Sequence, residues 1–204
     1  MRLLKKTVFA CIALLAFPPV SAADASDPAI PPGAMSEKVL GDTNAEITII
    51  EYASLTCPHC AQFHEEILPK IKAEYIETGK AKLVYRDFPL DQTALKASLL
   101  ARCAPDEQFF TFIDALFSQQ PMWAKSEDPD EALANLGMLG GVSREKFAAC
   151  ASNEELTDYV LQVRLDGQNE FAVDSTPTVI VNGKKLAHVS SFEEVKAAVE
   201  PLVQ

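Results

Sequence analysis

Residues 45–53 read Ala-Glu-Ile-Thr-Ile-Ile-Glu-Tyr-Ala, and two cysteines follow at once as Cys57-Pro58-His59-Cys60. The β-branched run, apolar on both alternations, predicts a strand with both faces covered. Beyond the cysteines, Phe63, Ile67, Leu68, Ile71 and Tyr75 recur at helical spacing, with Pro69 expected to kink the helix. Gly79 ends it, and residues 82–86 (Lys-Leu-Val-Tyr-Arg) predict the next strand. A strand, helix and strand in this order imply a right-handed parallel crossover, so the chain is committed to an α/β fold with two cysteines at a strand-to-helix junction.

The pattern then turns purely helical. Helices are predicted over 91–104, 106–119, 129–139, 143–151 and 153–170, separated by Pro105, Pro121, Gly140-Gly141 and Ser152. Thr178-Val-Ile-Val181 returns to strand, Asn182-Gly183 signals a hairpin, and 184–188 is expected to pair back. Ser191 reads as the N-cap of a last helix carrying Phe192, Val195 and Val199 on one face. One α/β domain, 45–90 and 172–204, is thus interrupted by an all-helical insertion, 91–171. Trp123 and Phe109, Phe110, Phe112 and Phe117 could line a groove, but their spacing is that of a core.

Ahead of the domain, Arg2, Lys5 and Lys6 precede an apolar run over 7–17 and a small-residue stretch at 20–23, the pattern of a secretory signal peptide, 1–22, cleaved after Ala22 or Ala23. The run is about half the roughly 20 residues a spanning helix needs. Residues 23–44, with Pro28, Pro31 and Pro32, are expected to be a flexible arm. Removing the leader leaves 15 basic against 29 acidic residues, a net charge of −14 instead of −11, which excludes a nucleic-acid backbone as partner. Cys11 leaves too, so Cys57, Cys60, Cys103 and Cys150 remain in an oxidising compartment with three possible pairings. The short spacing suits Cys57 and Cys60 to a local redox loop, which leaves Cys103 and Cys150 to each other. Two free buried thiols would also fit the apolar stripes on which that second pair lies.

A thiolate at Cys57 would meet the unpaired amides and positive dipole end of the following helix, so Cys57 is the candidate nucleophile. Cys60, about one turn on, is placed to resolve a mixed disulfide. Pro58 fits the first helical turn, where its amide has no acceptor to lose, and a protonated His59 would lower the Cys57 pKa further. The alternatives are half of a zinc site with His59 or His64, for which no second cysteine or histidine pair is evident, and an inert disulfide closing too small a loop to stabilise much. Glu51, an acid within the apolar strand, needs a partner or a proton if buried; Lys82 and Arg86 on the next strand are candidates.

Together these residues resemble the DsbA-like branch of the thioredoxin superfamily. The likeness is carried by Glu-Tyr-Ala-Ser-Leu-Thr-Cys-Pro-His-Cys at 51–60, the helical insertion, and Ser-Thr-Pro-Thr at 175–178. It implies a thioredoxin-like fold and a protein thiol:disulfide oxidoreductase of the strongly oxidising kind. Such an enzyme passes its Cys57–Cys60 disulfide to newly exported, reduced proteins in the periplasm and is reoxidised by a DsbB-like, quinone-coupled membrane partner. It implies no cofactor beyond that disulfide and no metal. It also implies a cis Pro177 beside the disulfide, substrate pairing with the backbone of Thr176, and Glu51 as the buried acid that moves the proton of Cys60. A second bridge, Cys103–Cys150, is allowed by the resemblance. Family isomerases usually carry an N-terminal oligomerisation region, and the short arm favours a monomeric oxidase over an isomerase or reductase.

Overall fold

The computed structural model describes residues 30–186 and 188–203. The expected signal peptide, Cys11 and the first part of the arm lie outside the described residues.

Five strands form one mixed sheet in the order β1-β3-β2-β4-β5. β2, Ile47–Ala53, is central: it runs parallel to β3, Ala81–Asp87, and antiparallel to β4, Thr178–Val181. Its alternation explains its position. Ile47 and Ile49 pack beneath Phe63, Ile67, Ile71, Val195 and Val199, while Ile50 and Tyr52 pack on the opposite side with Phe88, Val173 and Ile180.

β1, Lys38–Leu40, pairs antiparallel with β3 inside the stretch expected to be a flexible arm. Three residues are too few to show a period in sequence, and the strand is held by its surroundings: Ala34 is buried, and the Lys38 ammonium donates to the Gly33 carbonyl and pairs with Asp106. β5 is only Lys184–Lys185, shorter than expected. Asn182 and Gly183 adopt the positive φ values, 42° and 81°, that a tight hairpin turn demands, and His188, also at positive φ, turns the chain away soon after.

Helix α1, Pro58–Gln62, continues through a wide π turn at Phe63–Ile67 into α2, Leu68–Ile71, and a second such turn at Lys72–Ile76. Pro69 lies two residues beyond the first turn. The helix therefore meets the missing proline N–H by widening.

Then come α3, Gln92–Cys103; α4, Phe109–Ser118; α5, Gln120–Ala124; α6, Pro129–Leu139; α7, Arg144–Ala151; and α8, Glu154–Phe171. Asp91, Asp128, Ser143 and Asn153 cap α3, α6, α7 and α8, each accepting from a backbone N–H three residues on. α5 differs from the expectation, which treated Pro121 as a separator; it sits in the first turn of the helix, where proline is tolerated. Ser191 and Glu194 form a capping box at α9, Phe192–Val199. Cys103 of α3 and Cys150 of α7 are bonded, with Cα atoms 6.3 Å apart.

The helical block has no core of its own. Leu99, Phe112, Leu116, Trp123 and Leu156 share one apolar cluster with Ala53, Leu55, Cys57 and Cys60. At its edge Arg102 is buried with Asp87, Nε to Oδ2 2.6 Å, and also donates to the Ala34 carbonyl at 2.7 Å. Replacing Arg102→Leu leaves the Asp87 carboxylate buried without its cation. A stability loss of about 3–5 kcal/mol is expected from urea unfolding; a change below about 1 kcal/mol would show that the pair is dispensable.

Candidate functional site

The site lies where β2 ends. Ala53 leads into Ser54-Leu55-Thr56, and Cys57, in extended conformation, caps α1 with Pro58 in the first turn. Its carbonyl accepts from the amides of Cys60 and Ala61 at 3.1 and 3.2 Å. A second clamp comes from the helical block: Gln120, buried at the start of α5, donates through Nε2 to the carbonyls of Leu55 and Cys57 at 2.7 and 3.0 Å. Nothing in the sequence marked Gln120, because α5 was not expected and the residue is bound to backbone atoms far away in the chain.

Facing Cys57 is the turn before β4, where the Thr176–Pro177 peptide is cis. The Cys57 thiol donates to the Thr176 carbonyl at 3.3 Å, and the Thr176 hydroxyl is buried nearby. Both cysteines are reduced. Cys57 is 7% exposed and Cys60 fully buried. A groove of about 340 Å³ opens beside them, lined among others by His59, Phe63, Thr176, Pro177 and His188.

The two sulfurs are polarised in opposite directions. The Cys60 thiol donates to the Cys57 sulfur; against the cost of burial, this bond, the Thr176 hydroxyl and the backbone N–H groups of Cys60 and His59 bring the Cys57 pKa down to about 5. The part of His59 in this is its amide, and its side chain is exposed on the first turn of α1. Burial, the same bond with Cys57 and the nearby charge of Glu51 push Cys60 well up. At neutral pH the pair holds one negative charge on the outer sulfur.

Glu51 is completely buried, facing Tyr85 of β3 and Val179 of β4 in register. Neither expected partner reaches it. Lys82 donates to the Thr43 carbonyl, and Arg86 turns to Glu37 and the Tyr52 hydroxyl. The partner is His64, in the π turn after α1, with Nε2 3.1 Å from Glu51 Oε2. His64 stands four residues after Cys60, which is the sequence signal for a shared inward face. Among the described residues no group of three or more His, Cys, Asp or Glu is placed to hold a metal ion.

The comparisons agree with this geometry. Residues 34–201 match the profile of the thioredoxin family. The chain belongs to that family and, within it, to the DsbA-like proteins. It is 34% identical to a putative protein-disulfide oxidoreductase of Rickettsia bellii over 83% of this chain and 65% of the relative, so it spans just under two thirds of that protein. It is 26% identical to disulfide bond formation protein D of Bacillus subtilis, over 83% of this chain and 78% of that one. The crystal structure of alpha-DsbA1 from Wolbachia pipientis superposes with a TM-score of 0.76 at 30% identity, covering 82% of this chain and 90% of that one.

Alkylation by iodoacetamide after removal of reductant reads the polarisation directly. Cys57 is expected to react alone, with a rate that rises through a midpoint near pH 5. Reaction first at Cys60, or a midpoint near the ordinary thiol value of about 9, would reverse the assignment.

Proposed function

We propose that the chain is an exported thiol:disulfide oxidoreductase that donates a Cys57–Cys60 disulfide to newly exported proteins through a mixed disulfide. The observation that carries this reading is the placement of Cys57 at the start of α1 against the cis Thr176–Pro177 turn, with Cys60 buried behind it, an arrangement that lowers the Cys57 pKa to about 5 and raises that of Cys60.

The chemistry follows from which sulfur leaves most easily. A substrate thiolate attacks Sγ of Cys57 in the oxidised protein, the Cys57–Cys60 bond breaks, and Cys60 takes up a proton, with Glu51 beneath it as the buried acid. A second substrate thiolate then attacks the substrate sulfur of the mixed disulfide. Cys57 departs as a stabilised thiolate, which favours transfer outward. The substrate has lost two electrons and the protein has gained them. A DsbB-like, quinone-coupled membrane partner would remove them again. Thr176 would offer its backbone to an extended substrate segment, with Pro177 unable to compete as a donor and the groove beside them receiving the flanking side chains. Cys103–Cys150 would be a structural bridge, and the protein would act as a periplasmic monomer after loss of residues 1–22.

Three measurements test this. With a reduced multi-cysteine protein in glutathione buffer, the oxidised chain is expected to form disulfides; activity only on scrambled substrate would favour an isomerase. Cys57→Ser is expected to be inactive and Cys60→Ser to accumulate mixed disulfides. The third compares the stabilities of the two redox forms. The Cys57 pKa is depressed on folding, so ionisation stabilises the reduced form fully above the unfolded pKa near 9, and this is lost as pH falls through about 5. At pH 7 the two-unit gap amounts to about 3 kcal/mol, or about 60 mV towards an oxidant. A reduced form melting below the oxidised one at pH 7 would identify a reductant.

A further inference from the structure

Cys60 must gain a proton just when substrate covers the front of the site. We propose that His64 delivers it from behind, linking Glu51 to a solvent-open groove beside Asp114. This rests on the oxidase reading above.

The imidazole reaches towards both ends of this route. On one side of the ring, Nε2 lies 3.1 Å from Glu51 Oε2; Glu51 Oε1 is buried and without a hydrogen-bond partner, and the charge of Glu51 acts on the Cys60 thiol. On the other side, Nδ1 has no hydrogen bond but lies 3.6 Å from Oδ1 of Asp114, whose side chain is 52% exposed. His64 and Asp114 line a groove of about 540 Å³ that shares no lining residue with the one beside Thr176 and Pro177. The ring therefore touches the buried carboxylate and solvent access at once. Packing holds it there: Phe117 of α4 lies against it with ring centroids 4.2 Å apart, and Tyr85 of β3 meets it edge-on.

The surrounding charges suit a proton carrier. Burial works against the imidazolium, but Glu51 and Asp114 outweigh it and raise the pKa to about 9, so a proton is in place at neutral pH. The other charged groups at the groove are Lys72, 3.9 Å from Asp114, with Glu65 and Glu77. Behind the ring, the Tyr85 hydroxyl is held neutral by burial.

The step balances without another reagent. Attack by a substrate thiolate breaks the Cys57–Cys60 bond and makes a bond between Cys57 and substrate, leaving an electron pair on the Cys60 sulfur. A proton passes from the imidazolium to Glu51 and from Glu51 to that sulfur. The imidazole is reprotonated from water in the groove. During reoxidation the proton returns the same way.

A merely structural His64 would neutralise Glu51 and nothing more, and chemical rescue separates the two roles. The full chain, oxidised at Cys57–Cys60, is mixed with a small thiol at pH 7, and mixed-disulfide formation is followed by acid quench and mass spectrometry. His64→Ala is expected to slow this step by about tenfold or more. Added imidazole should restore most of the rate by entering from the groove, and should leave wild type and His64→Gln unchanged. A wild-type rate in His64→Ala, or a slowed rate indifferent to imidazole, overturns the relay. Should His64→Ala fail to fold, Asp114→Asn at the exposed end decides: a slower step supports the relay and an unchanged one overturns it. Oxidation of a reduced peptide by wild type is measured alongside. Its absence would sink the oxidase reading, whereas its presence with indifferent variants sinks only the relay.

Discussion

The site is built around donors that hold a negative charge on Cys57 while the sulfur beside it stays protonated. A charge at that place has to be met by donors fixed before it forms, because Cys57 is nearly closed off from water. The end of β2 brings the cysteine to the helix, the amides of α1 supply backbone donors, and the turn before β4 brings the Thr176 hydroxyl. Cys60 completes the arrangement by donating its own proton to its neighbour, which ties the ionisation of one thiol to the neutrality of the other.

This explains why the helical block and the sheet share one core. Gln120 belongs to α5, yet both of its amide hydrogen bonds go to carbonyls of the loop that presents Cys57. Trp123, one turn on, is buried in the cluster that also holds both cysteines and bonds the Leu116 carbonyl through its indole. The chain interrupts its α/β unit for some eighty residues and uses them as the wall against which the active loop is set.

What could be read from the sequence was whatever is local. β2 announces itself by its β-branched run, β3 by a short apolar stretch after Gly79, the last helix by Ser191 at its start, and the hairpin by Asn182-Gly183. The cysteine pair and Pro177 were legible through their immediate neighbours. Long-range choices were not. β1 is a strand because β3 has an open edge, which no window of three residues reveals. The acid at 51 was visible as an anomaly, but its partner was sought on the adjacent strand, whereas β2 turns that carboxylate towards α1 and hence towards His64. The π turn at Phe63–Ile67, set by Pro69 two residues beyond it, has no signature in a period of 3.6.

The two cysteine pairs differ in depth as well as in bonding. Cys103 and Cys150 have no exposed surface, and α3 and α7 pack around them, while Cys57 keeps a small opening to solvent. Thiol exchange needs an incoming sulfur to line up with the bond it attacks, so the inner bridge is insulated kinetically from the traffic at the outer pair, whatever the relative potentials of the two. A single fold can thus hold one cysteine pair within reach of an incoming thiol and one bridge beyond it, sorted by access alone.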